Sequence, residues 1–194
     1  MKLISHRYTE IEEKANEIIL KQKTVLPPFN PYIIAENLGI KVIRYSSLSD
    51  EYRSKMSRYF AFEENDAFSY INPIKNESKI LVNDTIISSG RINFTIFHEI
   101  GHIILNHTEQ SELAESEADV FACRIMMPYG IMRTIDEKDM NEDFIMEQFG
   151  ASREAACNAI KRTLKRFRFH DKEISESTMR ISERYLKLGG ILCE

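Results

Sequence analysis

The sequence predicts an α+β fold with helices at both ends and a small antiparallel sheet between them. Three observations carry this. Helical apolar spacing opens the chain, alternating Tyr/Phe/Ser-rich stretches fill residues 46–90, and the pattern is helical from Ser88 onward.

The elements follow in order. Residues 8–23 place Ile11, Ala15, Ile18 and Ile19 roughly on one helical face. VLPPFN breaks that helix, and Asn30–Pro31 opens a second, PYIIAENLG, which stops at Gly39. KVIRY reads as a strand. RYFAF, FSYIN and KILVN read as antiparallel strands joined by the polar turns EENDA and PIKNE. A long helix covers FHEIGH, another starts near Ser111 and another near Glu142. EQFGASREAACNAIKRTLKRF reads as two helical stretches hinged at Gly150, and ERYLKLGGIL is helical again.

Length and composition suit one sizeable domain, or one domain with an appendage: 194 residues, 43% hydrophobic and 29% charged. The expected division is residues 1–140 as the main domain and 141–194 as a helical, helix-turn-helix-like extension. A net charge of −4 gives no global pull toward nucleic acid. The first 23 residues are too charged for a targeting peptide, and no run approaches the ~18 apolar residues of a membrane span. Cys123, Cys157 and Cys193 are far apart and odd in number, as free thiols of a reducing compartment would be. A cytoplasmic location and no membrane partner are therefore expected.

The helix around FHEIGHIILNH carries the chemistry. With His98 at zero and about 100° per residue, His102 falls near 40° and Glu99 near 100°. Ile92, Phe94, Ile96, Phe97, Ile100, Ile103, Ile104 and Leu105 occupy most other directions, so the helix belongs in a core. Imidazoles and a carboxylate there are costly unless satisfied, and a metal satisfies them. The i, i+4 spacing lets His98 and His102 reach one ion, while Glu99, rotated away, can meet a water rather than the metal.

A hydrolytic zinc takes three protein ligands. HExxHxxGxxH is excluded, because Leu105 and Thr108 stand where the glycine and third histidine would be. His107 is expected to face away from the pair, toward the carbonyls of its own helix end. The next helix, ELAESEADVFACRIMMP, has a buried stripe of Ala118, Phe121, Ala122, Ile125 and Met126, with Glu115 and Asp119 on its edge. Glu115 is thus the expected third ligand, Asp119 the expected partner of a ligand histidine's other ring nitrogen, and Glu117 a solvated charge.

FTIFHEIGHIILNH followed by ESEADVFACRIMMP resembles the signature of the ImmA/IrrE metallopeptidase family, whose related zinc peptidases carry a later ExxxD. PYIIAENLGIKV and KILVN resemble that family's entry helix and the strand before its active helix, and FGASREAACNAIKRTL echoes a downstream segment. The likeness covers about residues 25–130. It implies a zincin-like fold with the small antiparallel sheet packed on the HExxH helix. It implies a cytoplasmic zinc endopeptidase, of the kind carried by mobile elements, that cleaves a helix-turn-helix repressor and relieves repression. His98, His102 and Glu115 would then hold Zn2+, and Glu99 would be the general base. Two features depart from the pattern. Phe97 precedes the motif where a smaller residue often stands, and the chain lacks the N-terminal DNA-binding domain of fused relatives, so a separate protein would provide DNA binding.

For such a peptidase, KILVN as an edge strand could pair with an extended substrate. Tyr52, Tyr59 and Tyr70 are open choices for a transition-state donor. A rival reading rests on the C-terminal helices. Residues 153–168 hold six basic residues and one acid, and Arg162, Lys165, Arg166 and Arg168 could face DNA phosphates. The protein would then be a DNA- or partner-binding regulator with a structural metal. A plain helical hairpin packed through Phe144, Phe149, Ala156 and Ile160 is favoured over it.

Overall fold

The computed structural model describes residues 5–59, 66–72, 74–75, 77–85, 89–169 and 174–189. The chain forms two compact units, Asn30–Ala122 on one hand and Met1–Phe29 with Cys123–Glu194 on the other.

The Asn30–Ala122 unit begins with α2 (Pro31–Asn37), since α1 (Ser5–Leu20) belongs to the other unit. The Asn30 side chain accepts from the backbone N–H of Tyr32, 2.9 Å away, and Pro31 takes the first helical position, where no N–H is needed. Gly39, at φ 72°, ends the helix in the left-handed region. The sheet has three strands, β1 (Ile40–Arg44), β2 (Ala67–Asn72) and β3 (Glu77–Val82), in the order β1-β3-β2. FSYIN and KILVN form the expected antiparallel pair, β2 with β3, but KVIRY lies parallel to KILVN, so the sheet is mixed. A parallel neighbour needs a crossover, and here α3 (Asp50–Tyr59) and β2 lie between the two strands in sequence. As the middle strand, β3 is paired on both sides, and Ile80, Leu81 and Val82 are buried. KILVN is therefore not an edge strand. Its pairing capacity is spent, and β2 is an edge strand that, like β3, packs against the long helix.

A helix, α3 (Asp50–Tyr59), replaces part of the expected strand region. Asp50 and Glu51 sit in its first turn, and Lys55 pairs with Glu51 at 2.6 Å, so charge pairing rather than an apolar stripe supports it. Arg58 and Tyr59 of RYFAF end this helix; residues 60–62, and the start of EENDA, lie outside the described residues.

The long helix is α4 (Ser89–Ile104), with Ile96, Phe97 and Ile100 fully buried, and it packs on β2 and β3. Next comes α5 (Glu112–Met126), which Ser111 opens by accepting from the N–H of Ala114 at 3.1 Å. The expected stripe of Ala118, Phe121, Ala122, Ile125 and Met126 is buried throughout. Gly101 lets the two helices touch: a Cβ there would lie 3.2 Å from Ala118 Cα and 3.1 Å from a Phe121 ring carbon.

The other unit is helical: α1 (Ser5–Leu20), α6 (Tyr129–Met132), α7 (Glu142–Phe149), α8 (Arg153–Phe169) and α9 (Glu176–Lys187). In α1 the expected face of Ile11, Ala15, Ile18 and Ile19 is buried. Asn16 on that helix donates to Ser177 and Thr178 of α9 at 2.8 and 3.1 Å. The hinge at Gly150 is a left-handed cap at φ 62°, and Ile145, Phe149, Ala156 and Ala159 are buried around it. α9 begins seven residues before ERYLK, because Ser175 caps it at Thr178. Glu12, 6% exposed, accepts from Arg166 Nη1 at 2.7 and 2.9 Å and forms an ion pair with Arg124 Nε at 3.2 Å. Arg166 also lies over the Tyr129 ring, 3.8 Å from its centroid. Of the four cations considered for DNA, Arg166 is thus already bound within the protein, whereas Lys165 and Arg168 are exposed. Among the described residues no helix is long and apolar enough to cross a membrane.

Candidate metal centre

The faces of α4 and α5 that meet at Gly101 bring five of the expected residues to one cleft. One ligand atom each from His98, His102 and Glu115 lies within 4.8 Å of the others. The cleft, of about 370 Å³, is lined by these helices at Phe94, Thr95, His98, Glu99, Glu115 and Asp119, and at its rim Arg91 pairs with Asp66 at 2.7 Å.

The hydrogen bonds fix which way each imidazole points. His98 donates from Nδ1 to Asp119 Oδ1 at 2.9 Å, because an ionised carboxylate only accepts. The neutral ring then carries a lone pair on Nε2. That atom lies 3.0 Å from His102 Nε2 and 3.2 Å from Glu115 Oε2, and His102 Nε2 is 3.6 Å from Glu115 Oε1. Two neutral imidazole lone pairs and a carboxylate facing one another repel unless a cation or a proton lies among them. Nitrogen and oxygen donors of this kind suit zinc, so the residues fit the expected ion.

Glu99 stands in the same cleft and is 8% exposed. Burial, with a small addition from Glu115, raises its carboxyl above the ordinary range against the hydrogen bonds of Ser69 and the charge of His98. Burial lowers His98, but the hydrogen bond and charge of Asp119, with Glu99 and Glu115, outweigh it and raise the imidazole overall. Burial and the neighbouring His98 lower His102. Tyr52 and Tyr70 are exposed, and neither is among the described residues that line the cleft; the side chain of Tyr59 lies outside the description.

Two expectations fail here. His107 does not face away: its Nδ1 lies 3.0 Å from His102 Nδ1. The angular projection assumed that the helix continued, but α4 ends at Ile104. Asn106 takes φ 56°, its N–H bonds Ile103 O at 3.2 Å, and the N–H of His107 bonds His102 O at 3.0 Å. That paired closure turns the chain back over the last turn. Glu117 is no solvated charge either. It is 6% exposed and accepts from His107 Nε2 at 3.1 Å. The signal for it was the row Ala114, Glu117, Phe121 at i, i+3, i+7, all three buried. Reading a single stripe on α5 hid that row.

A search of the curated proteins finds no match to this chain. Residues 35–161 match the family Peptidase_M78, described as the IrrE N-terminal-like domain. That span holds the sheet, both helices of the cleft and every residue of the cluster, and the chain belongs to this peptidase family.

Proposed function

We propose that the protein is a zinc-dependent endopeptidase acting in the cytoplasm on a helix-turn-helix repressor. One observation carries the reading: three metal-ligand atoms converge within 4.8 Å, with a buried glutamate in the same cleft. His98, His102 and Glu115 would hold the ion, and Asp119 would fix the ring of His98. A bound zinc supplies a water acidified toward pKa ~7 and a polarised scissile carbonyl. Glu99 accepts the proton of the attacking water and returns it to the leaving amide nitrogen. Its burial beside the cluster suits it to both halves of that transfer. The cleft beside β2 receives the peptide. The repressor as substrate rests on the resemblance of the paired motifs to proteases that relieve repression.

The test is incubation of the purified protein with a helix-turn-helix repressor encoded beside it, with zinc or with a chelator. Fragments are expected with zinc and not with the chelator. Glu99→Gln should keep zinc bound and slow cleavage by about two to four orders of magnitude. Equal cleavage by that variant would overturn the mechanism. Zinc binding without cleavage of any repressor would favour a regulator with a structural metal.

A further inference from the structure

We propose that His107 and Glu117 are positioning residues that set the tautomer and the aim of His102. The inference rests on the metal site proposed above and concerns how one of its ligands is held. The three groups form a line: Glu117 Oε2 to His107 Nε2 at 3.1 Å, then His107 Nδ1 to His102 Nδ1 at 3.0 Å. A carboxylate accepts, so the proton between Glu117 and His107 sits on His107 Nε2. A neutral His107 then has a bare Nδ1, which must accept from His102. His102 therefore carries its proton on Nδ1 and turns a lone pair on Nε2 toward His98 and Glu115. These directions hold for a neutral His107 and start from a carboxylate that is 6% exposed.

The two ligand histidines are thus supported by different means. His98 leans directly on Asp119, an exposed residue one helix away. His102 lies on α4 on the side turned to the chain's return, where the carboxylate is reached only through a second imidazole. The ring planes of His102 and His107 stand at 74°, edge to face, so the contact also limits rotation of the ligand ring. Outer partners of this kind affect metal affinity by about 10–100-fold.

The experiment is zinc affinity by competition with a chromophoric chelator, and the visible absorption of the cobalt-substituted protein. The variants are His107→Leu, His107→Gln and Glu117→Gln. Leucine fills the space without polar atoms. Glutamine offers a carbonyl to accept from His102 and an amide N–H to donate to Glu117. His107→Leu should bind zinc about 10–100-fold more weakly with an altered cobalt band. His107→Gln should stay close to the parent in both, and Glu117→Gln should fall between. Circular dichroism of each metal-free variant reports folding, and His107→Gln keeps the comparison open if His107→Leu does not fold. Parent-like affinity in His107→Leu, or equal losses in a folded His107→Leu and His107→Gln, would overturn the proposal. Absence of repressor cleavage with this affinity pattern intact would count against the peptidase reading and leave the positioning role standing.

Discussion

Glu12 and Glu115 are both carboxylates met by groups from elsewhere in the chain, but the groups differ in kind. Glu12 meets two guanidiniums: Arg166 holds both oxygens and Arg124 closes on one of them. Burial pushes Arg124 below its ordinary value, and Glu12 opposes that shift. The countercharge is covalently part of the protein, so the Glu12 carboxylate needs no ion from outside. Glu115 meets two imidazole nitrogens whose outer protons are committed to Asp119 and His107. These inward atoms are acceptors, and a cation would satisfy them. A charge cluster that supplies its own counterions holds a fold together. One that converges its lone pairs binds something.

The largest expected effect is at Glu12. Glu12→Ala should cost about 3–5 kcal/mol, because it strands Arg124 in the interior. Urea unfolding measures it, and Glu12→Leu with Arg124→Met should recover much of the loss. A loss below ~1 kcal/mol would mean that water already satisfies Arg124 and that the contrast is too sharply drawn. Next is Gly101→Ala, which pushes a methyl against Ala118 and Phe121. It should cost about 1–3 kcal/mol by overpacking, and it should also weaken zinc binding by parting α4 from α5. Stability lost with affinity unchanged would show that the ligands do not depend on that approach.

The smallest effect is expected at a surface pair, Glu142 and Arg153. The hydrogen bond from Arg153 holds the Glu142 carboxyl below its ordinary 4.5. A depressed carboxyl stabilises the fold above that ordinary value, and the contribution disappears as the pH falls through the lower, folded value. Glu142→Gln should therefore lose this small contribution at neutrality, match the parent at low pH, and so flatten the stability profile below about pH 4.5. A large loss at pH 7 would place this surface pair with Glu12 instead.

Much of this was legible in the sequence where periodicity was strong. The apolar stripes of α1, α4 and α5, the cap at Asn30 and the hinge at Gly150 all follow from residue spacing. Spacing also puts His98, Glu99 and His102 on one side of α4 and Glu115 and Asp119 together on α5, and the short link between the helices lets the two sets meet. What escaped depended on tertiary geometry. The place of KILVN in the middle of the sheet comes from a parallel partner more than thirty residues earlier, which no local pattern encodes. α3 was missed because charges, not an apolar face, support it. His107 and Glu117 were misjudged because a helical wheel ignores the point at which a helix stops.

The left-handed turn at Asn106 makes the distance along the chain a ruler. His107 meets His102 only because the peptide reverses after a fixed number of residues. Insert one more before the bend, and HEIGH remains letter for letter while the second imidazole loses its brace. A peptidase motif can therefore be spelled in full and still be tuned, or disabled, by the length of the loop that follows it.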